Sequence, residues 1–359
     1  MRSAPRWLLP LALLCTPLAG IASDDQAALD RALDFQDSML EEELVYPDWF
    51  KLSSGDLRDD LKAAVKDGKE GIMIYYGQKR CSYCEQFINT SLATPDIGKY
   101  LREHFDVIAL DIWSIDDITD TDGKEYTERE LAVKYGTNFT PSLIFYDDQG
   151  NKAFRLRGFH PPYKFRAALN YVVEKFYQQE SYRDYLARAE PGLFFYEDDL
   201  NERDFFTPPP HNLDRSGKTA AKPLVVFFER GNCHACDLLH TGPFNDERII
   251  RELQQMQAVQ LNITADANIT TPAGEKTTAR KWAEKLGIFH TPTLIFFDEA
   301  GREIIRIDSI VKFYRAWGVL DYVNQRGYLT QPDYQQWRLA QREIDDPEEQ
   351  LPAQQPGNP

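Results

Sequence analysis

With 57 acidic against 41 basic side chains, the 359-residue chain carries a net charge of -16 at pH 7. That balance speaks against nucleic acid or an anionic membrane surface as a partner. Four of the five cysteines fall in two Cys-x-x-Cys pairs, so none of those four is left for structural stapling.

Arg2 and Arg6, the apolar run Trp7 to Thr16 and the small residues Gly20-Ile21-Ala22 predict an export signal over residues 1–22, cut ahead of Ser23. A membrane anchor is disfavoured, because a spanning helix needs about 20 apolar residues and Pro10 and Pro17 interrupt this run. Leu14 stands where a lipoprotein signal has a small residue before Cys15. Loss of the signal removes Cys15 and two arginines, taking the charge from -16 to -18. Residues 23–54 read as a helical, acidic lead-in, Asp24 to Glu43, closing at Pro47-Asp48-Trp49-Phe50. A helix follows over Asp59 to Val65, then a near-continuous apolar run, Gly71 to Tyr76, of the kind that suits a strand buried on both faces. The helix that begins at Cys81 is broken near Thr94-Pro95 and resumes through Leu101. A strand over Asp106 to Trp113, a polar stretch from Ser114 to Thr127 and a helix over Glu128 to Tyr135 come next. Ser142 to Tyr146 and Ala153 to Leu156 form a hairpin around Gly150. The helix Tyr163 to Tyr177 closes the unit.

From Leu224 the same order runs again. There is a buried strand to Phe228, a helix from Cys233 broken at Gly242-Pro243, and a strand Val259 to Ile263. A helix Thr277 to Leu286, a hairpin Leu294 to Phe297 with Glu303 to Ile307, and a closing helix Phe313 to Val323 complete it. Similar tails, Tyr182 to Glu190 and Tyr334 to Glu343, end both copies. Residues 191–214 read as a linker stiffened by Pro208-Pro209-Pro210, and 344–359 as a disordered, Pro/Gln-rich tail.

The repeat is tightest around the cysteines. Pro141 lies 57 residues after Cys84, and Pro292 lies 56 after Cys236. Ile118-Thr119, Gly123, Gly136 and Leu143-Ile144-Phe145 recur at an offset of 151, the cysteines at 152. Two copies of about 125 residues, at about 100–200 residues per domain, are two complete domains rather than a solenoid. A two-residue gap lets a strand-to-helix turn bring both sulfurs of a pair together. Thr140-Pro141 and Thr291-Pro292 would lie beside them if the chain returned to the same edge. Shared zinc ligation is disfavoured, since each pair has its own Thr-Pro partner in its own copy. Haem attachment needs His directly after the second cysteine, where Glu85 and Asp237 stand.

This order of elements resembles the thioredoxin fold over about 250 of the 359 residues. The segments at Pro47-Asp48-Trp49-Phe50 and Ile112-Trp113…Thr119-Asp120…Gly123 are most similar to the exported SoxW-like thioredoxins of periplasmic sulfur chemistry. The resemblance implies an α/β fold of two tandem thioredoxin-like domains, 55–190 and 215–343, each a central mixed sheet flanked by helices. It also implies cis prolines at 141 and 292, holding Thr140 and Thr291 against the disulfide so that their backbone pairs with a substrate strand. Cysteines at helix N-termini face unpaired N–H groups and the positive end of the helix dipole, which lowers the thiol below its usual value near about 8.5. Cys81 and Cys233 are thus expected to attack, and Cys84 and Cys236 to resolve. Lys79, Arg80 and Arg230 add positive charge nearby. His234 is expected to tune Cys233, making the second pair the more oxidising. Two departures stand out: Tyr75 and Phe227 occupy the family's buried-acid position, and the usual Trp before the motif and Gly-Pro within it are missing.

His290 reads as a loop histidine near the second site. His104, His160, His211 and His240 read as bystanders, and the sequons at Asn89, Asn138, Asn262 and Asn268 as chance. Trp49 and Trp113 are assigned no chemistry. The expected function is an exported, periplasmic or secreted thiol–disulfide oxidoreductase without cofactor or metal. It would act as a reductase on protein thiols and disulfides or small sulfur compounds, fed by a membrane electron donor. Redox potential separates this from an isomerase or oxidase, and a non-catalytic scaffold is the alternative of another class.

Overall fold

The computed structural model describes residues 33–189, 200–231 and 233–345, so the export signal, its cut site, residues 191–199 and the tail from 346 lie outside the described residues. The chain separates into a unit ending at Asp34 and a unit running from Phe35 to the C-terminus, and both repeats lie in the latter.

In the first repeat, α1 (Leu57–Lys66) starts at Asp56, whose side chain accepts from the Arg58 N–H, and turns Leu57, Leu61 and Ala64 inward. It lies against β1 (Gly71–Gly77), which is buried along its whole length, as its unbroken apolar run requires. The chain continues through α2 (Ser82–Phe87), a π turn at Ile88–Leu92, α3 (Pro95–His104) and β2 (Phe105–Asp111). Next come β3 (Asp117–Thr119), β4 (Glu125–Thr127), α4 (Glu128–Lys134), β5 (Ser142–Asp147), β6 (Lys152–Arg157), α5 (Pro162–Val173) and α6 (Tyr182–Ala189). The sheet runs β2-β1-β5-β6, with β2 parallel to β1 and both remaining pairings antiparallel. Strand β1 is central, so its alternate side chains feed both layers. Ile72, Ile74 and Tyr76 pack with Leu61, Ile108, Leu131 and Ile144 on one face.

The second repeat has β7 (His211–Asn212), β8 (Leu224–Glu229), α7 (His234–Thr241), α8 (Glu247–Gln254), β9 (Gln257–Asn262), β10 (Asn268–Thr270) and β11 (Lys276–Thr278). It continues with α9 (Ala279–Lys285), β12 (Thr293–Phe297), β13 (Glu303–Ile307), α10 (Phe313–Asn324), α11 (Gly327–Thr330) and α12 (Tyr334–Asp345). Its sheet repeats the first, β9-β8-β12-β13. The fold is therefore two mixed sheets, each flanked by helices.

Three local readings change. Residues 35–43, expected to prolong a helix, carry none. The backbone instead meets the loop before Cys81, Leu40 N to Arg80 O at 3.3 Å and, just past this stretch, Leu44 N to Lys79 O at 2.5 Å. The polar stretch 114–127 holds the ribbon β3–β4. Ordered pairing in the second repeat begins ahead of residue 215, with β7 parallel to β10 and Leu213 buried. The two repeats also touch. Phe139 of the first packs into the core of the second beside Tyr334, and Arg157 is paired with Asp308.

Candidate functional site

Each Cys-x-x-Cys pair sits where a central strand turns into a helix. Cys81 is the N-cap of α2 and Cys233 that of α7. Their sulfurs accept from the backbone N–H of Cys84 at 3.0 Å and Cys236 at 3.2 Å. This is the orphan-donor position that a capping side chain satisfies. Both pairs are bridged, with a Cα separation of 5.1 Å in each. The outer cysteines are slightly exposed as residues, Cys81 at 4% and Cys233 at 5%, whereas Cys84 and Cys236 are at 0%. The outer cysteine is thus the more accessible member of each pair.

The Thr-Pro loops return to the same edge, as the spacing implies. Thr140-Pro141 and Thr291-Pro292 are cis. Thr140 Oγ1 lies 3.2 Å from Cys81 Sγ, and Thr291 Oγ1 lies 3.4 Å from Cys233 Sγ. Thr140, Pro141, Thr291 and Pro292 are thus brought to the cysteines, and His234 opens α7 within the second motif.

Several neighbours were not legible in the sequence. Tyr75, in the family's acid position, donates its hydroxyl to the Cys84 carbonyl at 3.4 Å, and burial raises its phenol well above the ordinary value. Trp113, assigned no chemistry, donates its indole N–H to Gln78 Oε1 at 2.9 Å. Gln78 in turn donates to Thr140 Oγ1 at 3.0 Å. Lys79 pairs with Glu43 at 3.3 Å, both side chains largely exposed, so its charge is shared with a carboxylate.

The second repeat reaches into the first site. Arg315, at 7% exposure, donates to the Thr140 carbonyl at 3.1 Å and stacks 3.5 Å above the ring of Tyr83. Burial lowers its guanidinium from the usual value. Tyr83 lies between the two cysteines; its hydroxyl donates to Asp37 at 2.9 Å and accepts from the Lys312 N–H at 3.0 Å. An open groove of about 1740 Å³ leads to Cys81, with Tyr46, Trp113, Glu128, Tyr314 and Arg315 among its walls. Burial, with Asp111 and Asp116 adding to it, pushes the Glu128 carboxyl up to about 7.

Two histidines have defined buried partners. His290 is buried at 1%, accepts from Lys164 at 2.9 Å and meets His160 edge to face at 5.2 Å. Burial holds its imidazole well below the ordinary value. His240, read as a bystander to the chemistry, has a structural contact. It lies 3.0 Å from Glu229 with both side chains buried, and Gln260 donates to the same carboxylate at 2.8 Å. A lone Glu at a strand end gives no sequence signal for such a pair. Among the described residues no group of three or more His, Cys, Asp or Glu side chains is placed to hold a metal ion. None of their helices is long and apolar enough to cross a membrane.

Two bridged Cys-x-x-Cys pairs, each capping a helix beside a cis Thr-Pro on its own four-stranded sheet, define a tandem thioredoxin-fold thiol–disulfide protein. The thioredoxin-like domain family profile matches residues 57–173 and 210–324, and the chain belongs to that family. It is 29% identical over 99 residues to the thiol:disulfide interchange protein DsbD of two Campylobacter jejuni strains. That match covers 28% of this chain and 16% of each relative's length. A solved thioredoxin-fold protein from Helicobacter pylori is 25% identical, with a TM-score of 0.30, covering 35% of this chain and 82% of that one. The DsbD C-terminal domain of Neisseria meningitidis in the reduced form is 15% identical, with a TM-score of 0.25, covering 31% and 89%.

Proposed function

We propose that the chain is an exported thiol–disulfide oxidoreductase that works as a reductase through two centres, Cys81–Cys84 and Cys233–Cys236. The observation that carries this is the exposure difference within each pair, combined with the capping N–H and threonine hydroxyl on the outer sulfur. In the reduced pair the outer thiolate attacks a partner disulfide, forming a mixed disulfide and expelling one partner thiolate. The inner thiol then loses its proton and attacks the outer sulfur. The bridge closes, the second partner thiolate leaves, and two electrons have passed to the partner. Thr140, Pro141, Thr291 and Pro292 position the incoming sulfur, and His234 tunes Cys233. The substrates are protein disulfides or small sulfur compounds, and a membrane donor returns the electrons. The segments around Pro47 and Trp113 support the finer likeness to SoxW-like thioredoxins.

In the test, Cys84→Ser and Cys236→Ser should each trap mixed disulfides through Cys81 or Cys233, while the outer-cysteine variants trap none. Insulin reduction and glutathione equilibrium then separate reductase from oxidase. Trapping by the outer-cysteine variants instead would reverse the roles.

A further inference from the structure

Cys81 stands at the end of a side-chain chain that Cys233 does not share. An indole nitrogen can only donate, so the bond from Trp113 Nε1 fixes which end of the Gln78 carboxamide is oxygen. The Gln78 amide nitrogen must then face Thr140, and it does, at 3.0 Å. That donor occupies a lone pair of Thr140 Oγ1, leaving the hydroxyl proton directed at Cys81 Sγ, 3.2 Å away. The carbonyl of the same threonine is held by buried Arg315 at 3.1 Å, so Thr140 is fixed at both ends. In the second repeat the matching positions are Arg230 and Thr264. An indole–carboxamide chain cannot form there, and the Thr291 hydroxyl lies further off, at 3.4 Å.

We propose that Gln78 and Trp113 are positioning residues that hold the Thr140 hydroxyl as a donor to Cys81, making Cys81–Cys84 the more oxidising of the two pairs. The inference rests on the functional reading above. Reduction of the bridge takes up two electrons and one proton, giving the Cys81 thiolate and the Cys84 thiol. A hydrogen bond to a full negative charge is roughly twice as strong as one between neutral groups. A directed hydroxyl therefore stabilises the reduced form far more than the bridge, and a pair whose reduced form is stabilised is the stronger oxidant. This ranking reverses the one that His234 alone suggests.

The test uses the full chain with one pair removed at a time. Cys233→Ser with Cys236→Ser isolates the first pair, and Cys81→Ser with Cys84→Ser the second. Each is equilibrated with reduced and oxidised glutathione and read by alkylation and mass. In the balance, two glutathione thiols lose two electrons and join as one disulfide while the protein bridge opens. The first pair should be the more readily reduced. Gln78→Leu should lower its constant about fivefold, the scale of the one uncharged hydrogen bond it removes from Thr140, and move Cys81 alkylation to higher pH. Gln78→Glu has the same shape, so folding does not mask its result. Its carboxylate takes the hydroxyl proton and turns a lone pair toward the sulfur, so its effect should be larger. Trp113→Phe should act in the same direction, about twofold, by loosening one anchor of an uncharged bond. The second pair should not move with any of these. A first pair that is the harder to reduce, or one unmoved by both Gln78 variants, overturns the proposal alone. Failure of both parent pairs to exchange with glutathione overturns the functional reading and the proposal together.

Discussion

Around Cys81 the neighbouring groups are drawn from three stretches of the chain: Asp37 ahead of the first repeat, Trp113 and Gln78 within it, and the Lys312 backbone N–H and Arg315 from the second. Around Cys233, Glu229, His240 and Gln260 form a hydrogen-bonded cluster within the second repeat, while His290, next to Thr291, meets Lys164 and His160 of the first. Positions 77 and 88, which match Glu229 and His240, are Gly and Ile. The first site is thus finished by hydrogen bonds from the second repeat onto Thr140 and Tyr83, and the second by a hydrogen-bonded network of its own with one histidine contact to the first repeat. One backbone scaffold can carry two differently tuned centres because the scaffold fixes the sulfurs while sparse neighbours set their electrostatics.

The largest test of this contrast is His240→Leu. Glu229 would keep a buried carboxyl group with one hydrogen-bond partner lost, and leaving a buried polar group short of a partner costs up to about 3 kcal/mol. Denaturant melts should show that loss, with the glutathione equilibrium of the first pair unchanged. A loss below about 1 kcal/mol would mean that the pair is not a unit.

Arg315→Met comes next. It removes donors to Thr140, Ser309 and Ile310 but retains apolar bulk over Tyr83. About 2 kcal/mol of stability should go, the scale of leaving buried carbonyls unsatisfied. The first pair should become harder to reduce, and the second should not respond. An equal response of both pairs would break the contrast.

A smaller effect belongs to Glu128 in the groove leading to Cys81. Its folded-state value of about 7 lies above the ordinary 4.5, so between these the folded chain binds more protons than the unfolded one. Stability from this group is therefore present at low pH and falls as pH rises toward 7. Discounted for partial exposure, the fall should be on the order of 1 kcal/mol. Glu128→Gln should flatten the melting temperature between about pH 5 and 7, and an unchanged slope would remove the group from the account.

The smallest concerns Lys79, which the sequence places beside Cys81. Its exposed pairing with Glu43 predicts that Lys79→Gln moves the first pair's glutathione equilibrium by less than about twofold, since exposed pairs contribute little. A larger shift would restore the charge to the site.

Periodicity and spacing are local and short-range, and they carried much on their own. The near-continuous apolar run at 71–76 suited a strand covered on both faces, and the double Cys-x-x-Cys with its downstream Thr-Pro pointed to two copies of one fold. The sequence also placed all four cysteines at helix starts, because the turn that ends β1 or β8 is written in the adjacent residues. What it could not contain were contacts set by the docking of distant segments. Residues 35–43 carry no helix, and there and just beyond the backbone meets the loop before Cys81, at Leu40 and Leu44. Trp113 became a donor to Gln78 only when β2 aligned with β1 in parallel, Tyr76 against Leu110 and Gly77 against Asp111. Arg315, 175 residues from Thr140, reached that carbonyl only through the contact between the repeats. Side-chain hydrogen bonds depend on distances of a few tenths of an ångström, which pattern in a sequence does not encode and packing of the whole chain decides.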